Sequence, residues 1–294
     1  MKKRYLIAAI IPLAALVFSA CGNDKSPTPK PASIKSTEVP EAPTVLEETT
    51  KEPEPQKAPV ELDLSEFDPR DFFKDVVYCG DSCMNFYKWE GNSYVNPETF
   101  GPLDTKVWLA SNSNAVRYAV IDVDDLSSSE KAYIPKFNGE PCNLWKAIPQ
   151  LEKNRVMMFF GLNDIGPSGV DGFIENYIAV IEKIKDAVPD AKFYILSVTP
   201  MREDKQVEGK LCTENINKAN EALEKMCADN GWTYVDVAEN LRDENGHLIL
   251  ALPDGTKLSD GTNVHLTKAA YAFWDEALEN LAREELRKEY YEGK

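Results

Sequence analysis

Val76-Val77-Tyr78-Cys79-Gly80-Asp81-Ser82 sets four apolar residues directly before a glycine, a carboxylate and a hydroxyl. The apolar run has the length and the β-branched, aromatic character of a buried strand, and the glycine ends it. The arrangement recurs at Val156-Met157-Met158-Phe159-Phe160, which is followed by Gly161-Leu162-Asn163-Asp164. Further apolar runs at 106–110, 192–198 and 232–237 complete a set of five expected strands. Helical periodicity fills the gaps. Phe173, Tyr177, Val180, Ile181, Ile184 and Val188 share one face, and Ile216, Ala219, Leu223, Met226 and Cys227 share another. A final helix is expected to begin with Thr267 as N-cap and to carry Tyr271, Trp274, Leu278 and Leu281 on one side. Strands alternating with helices predict an α/β fold, a three-layer α/β/α sandwich around a mainly parallel five-stranded sheet. Such sheets place their chemistry at the carboxyl ends of the strands, where Ser82 and Asn163 stand.

A serine hydroxyl needs a neighbouring base to become a nucleophile at neutral pH. The chain has only two histidines. His247 lies in the turn signal Asn245-Gly246-His247 and reads as a solvated loop residue. His265 lies in Ser259-Asp260-Gly261-Thr262-Asn263-Val264-His265-Leu266-Thr267, just ahead of the last helix. Cys83 adjoins Ser82 without any cysteine-protease signature and is expected to be buried. Asp122-Val123-Asp124-Asp125 resembles the start of a calcium loop, but Ser127 and Tyr133 stand where glycine and glutamate are needed. Neither clustered zinc ligands nor a phosphate-cradling glycine loop is present, so no metal and no cofactor is implied.

Over roughly residues 70–285 the order and content of these stretches resemble the SGNH (GDSL-like) hydrolase superfamily. The resemblance implies a flavodoxin-like sandwich, Ser82 as nucleophile and His265 as its base. It also implies Asn163 and the backbone N–H of Ser82 as donors to the oxyanion. Asp164 reads as a turn or N-cap residue. Two departures stand out. The family spacing Asp-x-x-His would put the acid at Thr262, whereas the nearest acid is Asp260, which a bulged loop would have to return; Asp254 or a backbone carbonyl are the alternatives. The family also places a glycine after the second strand as a further N–H donor, and here Ala110-Ser111-Asn112-Ser113-Asn114 has none. A backbone N–H between Ser111 and Asn114, or the side chain of Asn112 or Asn114, would have to serve.

The flanking sequence sets the expected location. Lys2, Lys3 and Arg4 precede an apolar run from Tyr5 to Phe18, and Ser19-Ala20 precede Cys21. This reads as a signal peptide over 1–20 with lipidation of Cys21, in the manner of a bacterial lipoprotein. Residues 21–60 read as the lipidated cysteine and a disordered linker, with eight prolines and no aromatic residue. That linker would span about 35 Å as a coil and approach roughly 120 Å fully extended. Residues 61–294 have the length of one domain, read as SGNH hydrolase-like.

The signal's three positive charges and the linker's excess of two negative ones leave −17 on this domain, out of a net −16. Such a balance excludes a nucleic-acid partner and argues against acidic polymers, leaving membrane contact to the lipid anchor. Besides Cys21, the odd set Cys79, Cys83, Cys142, Cys212 and Cys227 does not suggest a disulfide framework. The expected function is an extracytoplasmic carboxyl-ester hydrolase acting on a small ester, with an acylated glycan as partner. An acyltransferase and a catalytically silent glycan-binding lipoprotein are the alternatives.

Overall fold

The structure, a computed structural model, describes residues 62–88, 97–101 and 105–293. The expected leader 1–20, lipidated Cys21 and linker 21–60 lie outside the described residues. In chain order the elements are α1 (Arg70–Phe73), β1 (Val76–Gly80), α2 (Ser82–Lys88), α3 (Pro97–Phe100) and β2 (Trp108–Ala110). There follow α4 (Val116–Ala119), α5 (Ser128–Lys131), β3 (Lys136–Phe137), β4 (Glu140–Pro141), α6 (Leu144–Ala147) and β5 (Arg155–Phe159). The chain ends with α7 (Ile165–Ala187), β6 (Lys192–Leu196), α8 (Thr213–Asn230), β7 (Thr233–Val235) and α9 (Lys268–Glu292).

Five strands form one sheet in the order β2-β1-β5-β6-β7, and every pairing in it is parallel. β1 and β5 are buried along their whole length, as their unbroken apolar runs require in a sheet covered on both faces. Successive side chains of a strand point to opposite faces. Phe159 accordingly packs 5.0 Å from Trp274 of α9, while Phe160, just beyond β5, packs 5.9 Å from Tyr177 of α7. On the α7 side α4, α6 and α8 complete the layer. The expected three-layer α/β/α sandwich is therefore the observed one.

Most predicted helix faces are core. Phe173, Tyr177, Val180, Ile181 and Ile184 are buried in α7, and Ile216, Ala219, Leu223, Met226 and Cys227 in α8. Thr267 caps α9 by accepting from the N–H of Ala270. On that helix Ala282 rather than Leu281 is fully buried. Three of the expected strands, 106–110, 192–198 and 232–237, are shorter in the structure, at Trp108–Ala110, Lys192–Leu196 and Thr233–Val235. Lys106 and Val107 form a 3₁₀ turn ahead of β2. Past β6, the N–H of Val198 donates to Asn220 Oδ1 (2.7 Å) and Asn220 Nδ2 donates to the Val198 carbonyl (3.0 Å). A side-chain amide thus takes the place of a neighbouring strand. The small β3–β4 hairpin, which the apolar runs did not announce, turns on Asn138 and Gly139, whose φ angles of 53° and 92° suit a primed turn.

Chain order in the sheet is second, first, third, fourth, fifth, so connections leave β1 and β5 in opposite directions and open a crevice at their carboxyl ends. Two glycines allow the backbone to close there. A Cβ on Gly80 would lie 2.6 Å from the Phe159 carbonyl oxygen and 2.7 Å from Met84 Cβ. Gly161 has φ +141°, and a Cβ there would meet Val198 Cγ2 at 2.5 Å. Residues of both expected site blocks are thereby held at the crevice.

Asn220 is the polar support of this edge. Asn220→Ala leaves a buried N–H and a buried carbonyl unpaired, and is expected to lower unfolding free energy by about 2–4 kcal/mol in denaturant titration. A loss below about 1 kcal/mol would show that water or a shifted strand replaces the amide.

Candidate active site

Ser82 is the first residue of α2, and its Oγ lies 2.9 Å from Nε2 of His265. The two residues are 183 positions apart and come from opposite ends of the domain. His265 is presented by a closed loop. Ser259 bridges Leu266 in antiparallel fashion, the Asp260 N–H donates to the His265 carbonyl (3.3 Å), and the His265 N–H donates to Thr262 Oγ1 (3.1 Å). The Phe86 ring meets the imidazole edge-on, with centroids 4.7 Å apart. Burial holds the imidazole below its ordinary pKa of 6.5, against the opposing pull of the Asp260 charge. Neutral His265 with its proton on Nδ1 leaves Nε2 free to accept from the serine hydroxyl.

The same loop absorbs the stretched Asp–His spacing by turning at Gly261 and Thr262 and bringing Asp260 back beside the ring. Asp260 Oδ2 stands 3.9 Å from His265 Nδ1, close enough for charge but too far for a hydrogen bond. Its Oδ1 accepts from the backbone N–H of Thr262 (2.7 Å) and from Thr262 Oγ1 (2.6 Å). Asp254 uses its carboxylate on the Thr256 N–H in an exposed turn. His247, expected to be solvated, is part-buried in a turn tied to Asp243.

Asn163 follows β5 and lines the same cleft as Ser82 and His265. Its Nδ2 donates to the Asn114 carbonyl (3.0 Å), which fixes the amide plane and leaves the second N–H of that nitrogen unused. The Ser82 N–H, at the start of a helix, has no acceptor among the described residues.

In the loop after β2 most donors are already engaged. The Ser111 N–H donates to the Gly80 carbonyl, the Asn114 N–H to the Ser111 carbonyl, and Asn114 Nδ2 to the Gly80 carbonyl. Asn114 is also fully buried, so it is removed from the candidate oxyanion donors. The Asn112 side-chain oxygen accepts from Asn85 Nδ2. The backbone N–H groups of Asn112 and Ser113, both lining the cleft, have no acceptor among the described residues. Ser113 holds φ at +60°, a left-handed geometry that glycine adopts more readily than serine.

Asp164 occupies the N-cap position of α7 but makes no side-chain bond to that helix. Instead its carboxylate accepts from the N–H groups of Val116 and Arg117 at the start of α4. The Arg117 guanidinium pairs with Asp164 at 3.5 Å and donates to the Asn163 carbonyl. Nothing in the sequence pattern singled out Arg117, whose role depends on the packing of α4 against the start of α7. Next to Ser82, Asp81 is fully buried, with Oδ1 accepting from the Cys83 N–H and Oδ2 unpartnered among the described residues. Burial, reinforced by the charge of Asp164, pushes Asp81 up to about 8, and burial pushes Asp164 up to about 6. The Cys83 thiol is buried and raised well above its ordinary value, so it is not a thiolate at neutral pH.

The cleft has a volume of about 510 Å³. Phe86, Leu162, Leu211 and Val264 give it apolar walls, and Asn112, Asn163, Thr262 and Asn263 give it polar rims. Among the described residues no group of His, Cys, Asp and Glu is arranged to hold a metal ion.

Two measurements follow from these environments. His265 should titrate below 6.5 by NMR, and Asp260→Asn should lower its pKa further by removing the charge that favours the imidazolium; a rise would contradict the arrangement. Asp81 has a raised pKa when folded, so the stability linked to its proton is complete below about pH 4 and lost as pH rises through about 8. The stability of Asp81→Asn relative to the parent should therefore grow between pH 5 and pH 8 in denaturant titrations, and a constant difference would refute the buried neutral acid.

Residues 135–273 match the model of the GDSL-like Lipase/Acylhydrolase family, a stretch that contains Asn163 and His265 and begins after Ser82. No curated protein matches the chain. Among solved structures, a GDSL-like lipase from Bacteroides thetaiotaomicron is similar with a TM-score of 0.50 at 16% identity, over 75% of this chain and 94% of that one. A protein described as a platelet activating factor from Streptococcus pneumonia gives 0.49 at 18% identity, over 74% and 90% of the two chains. One described as an acylhydrolase from Bacteroides fragilis gives 0.49 at 15%, over 72% and 87%. Residues 135–273 thus resemble the GDSL-like Lipase/Acylhydrolase family, and the chain shares the fold of the GDSL-like lipase from Bacteroides thetaiotaomicron.

Proposed function

We propose that the protein is an extracytoplasmic serine esterase that hydrolyses a carboxyl ester, a small acyl group on a glycan, through an acyl-enzyme at Ser82. The observation that carries this reading is the 2.9 Å contact between Ser82 Oγ and His265 Nε2 at the carboxyl edge of the sheet. Ser82 Oγ attacks the ester carbonyl carbon as its proton passes to Nε2. The resulting oxyanion meets the free N–H of Asn163 Nδ2, the Ser82 N–H and the N–H groups of Asn112 and Ser113. Collapse breaks the ester C–O bond, and the departing alkoxide takes the proton from the imidazolium. Water then attacks the acyl carbon, again giving a proton to Nε2, and collapse releases the carboxylic acid and restores Ser82. Asp260, too distant to hydrogen-bond, contributes its charge to the imidazolium that forms in each step.

Apolar walls around an amide-rich rim support a short acyl group carried on a hydroxylated partner. The leader, Cys21 and the Pro-rich tether support action outside the cytoplasm on a lipid anchor; among the described residues no helix is long and apolar enough to cross a membrane. Of the alternatives, a silent glycan binder has no need of a serine hydroxyl aligned on an imidazole. Transfer is separated from hydrolysis by product analysis with and without a sugar acceptor.

The protein should turn over an activated aryl acetate, and Ser82→Ala and His265→Ala should each lower kcat by at least about a thousandfold. Asn163→Ala should cost about 10²–10³ in kcat with little change in KM, as expected for a donor used mainly in the transition state. Undiminished turnover in Ser82→Ala would remove the reading.

A further inference from the structure

Next to the catalytic cleft lies a second depression, of about 620 Å³, with no part in the chemistry above. Lys88, Lys106 and Lys136 line it together with Asn85, Asn112 and Asn138, and no Asp or Glu is among its described lining residues. That is unexpected in a chain whose 49 acidic residues outnumber 33 basic ones. Neither Lys88 nor Lys136 is paired with a carboxylate among the described residues. The groove is contiguous with the cleft, because Asn112 lines both and is held by Asn85 at 2.9 Å. Helix α2 spans the two: Ser82 at its first residue faces the cleft and Lys88 at its last lines the groove, about 9 Å further on at 1.5 Å per residue. Lys136 and Asn138 come from the β3–β4 hairpin, so an element outside the main sheet supplies part of the groove.

We propose that this lysine-lined groove binds an anionic group of the substrate, so that the esters cleaved at Ser82 are those of an acidic saccharide, bearing carboxylate or phosphate beyond the acylated sugar. This rests on the esterase reading of Ser82 and deepens it. Ammonium groups pair with carboxylate or phosphate as mobile point charges, and the amides of Asn85, Asn112 and Asn138 pair with sugar hydroxyls. The excess negative charge elsewhere on the domain repels a polyanion, which confines its favourable approach to this groove and sets its direction relative to the nucleophile. The net charge of the chain, taken alone, pointed the other way; the local distribution reverses that reading.

The test compares kcat/KM on three acetylated trimers, one of galacturonate, one of glycerol phosphate and one of neutral xylose, with phenyl acetate as the reference ester. At low salt at least one acidic trimer should be preferred over the neutral one by about tenfold, an effect on the scale of two or three exposed charge contacts. Which acidic trimer wins distinguishes carboxylate from phosphate. Lys88→Gln with Lys136→Gln should abolish the preference through KM while leaving phenyl acetate within about twofold, and the Lys88→Arg with Lys136→Arg pair should retain it. Equal use of all three trimers, or a preference unchanged by the glutamine pair, would overturn the proposal and leave the esterase reading standing. If phenyl acetate itself is not hydrolysed, the esterase reading fails, and calorimetry with the unacetylated trimers then decides the groove. Binding of an acidic trimer that the glutamine pair removes supports it, and no binding overturns it.

Discussion

The carbonyl of Gly80, at the end of the central strand β1, joins the parts of the site. It accepts from the Ser111 N–H and from Asn114 Nδ2, while the carbonyl of Asn114 accepts from Asn163. Three loops after three parallel strands are thereby fastened through one backbone oxygen and one buried asparagine. The arrangement requires β1 and β5 to approach as closely as they do, and the Phe159 carbonyl leaves no room for a side chain at position 80. A glycine is demanded here by packing, and the position of the serine two residues later follows from it. With the strand ends fixed, only the His265 loop has to be brought in from the far end of the chain, and helix α9 behind it, packed through Tyr271 and Trp274, provides the anchor.

The sheet and the main helix faces were legible because buried parallel strands and amphipathic helices leave periodic apolar patterns. Strand ends were less so. Nothing local in the sequence says that Asn220, 22 residues after Val198, pairs with the Val198 backbone just past the end of β6. The Ser82 and Asn163 positions were legible from their place after apolar strands, His265 from its place ahead of the last helix and the scarcity of histidine, and all three from the family resemblance. The segment 111–114 was legible as the source of a further N–H donor, but the choice of Asn112 and Ser113 within it was not, because it emerges only when the other hydrogen bonds of that loop are assigned. Arg117 and the burial of Asp164 are likewise tertiary facts, set where α4 packs against the start of α7, and the burial of Asp81 arises at the start of α2.

The two departures from the family pattern have different physical outcomes. Absence of the glycine is met locally: the backbone N–H groups of Asn112 and Ser113 line the cleft without an acceptor among the described residues. The longer Asp–His spacing changes the chemistry more. A turn returns Asp260 to the imidazole, but Thr262 occupies one carboxylate oxygen and the other stands at 3.9 Å. His265 is then oriented chiefly by its loop and by Phe86, and its proton affinity is set more by burial than by its acid. Such a base remains neutral to lower pH than one hydrogen-bonded to a carboxylate, at the expense of less stabilisation of the imidazolium.

The central claim is that Ser82 is an activated nucleophile and His265 its base. Labelling with a fluorophosphonate, followed by intact mass and peptide mapping, reads this directly because the adduct needs the activated hydroxyl and does not depend on the natural ester. The account predicts a single adduct on the Ser82 peptide, absent from Ser82→Ala and strongly slowed in His265→Ala. A correctly folded protein that takes no label, or takes it at another residue, would contradict it.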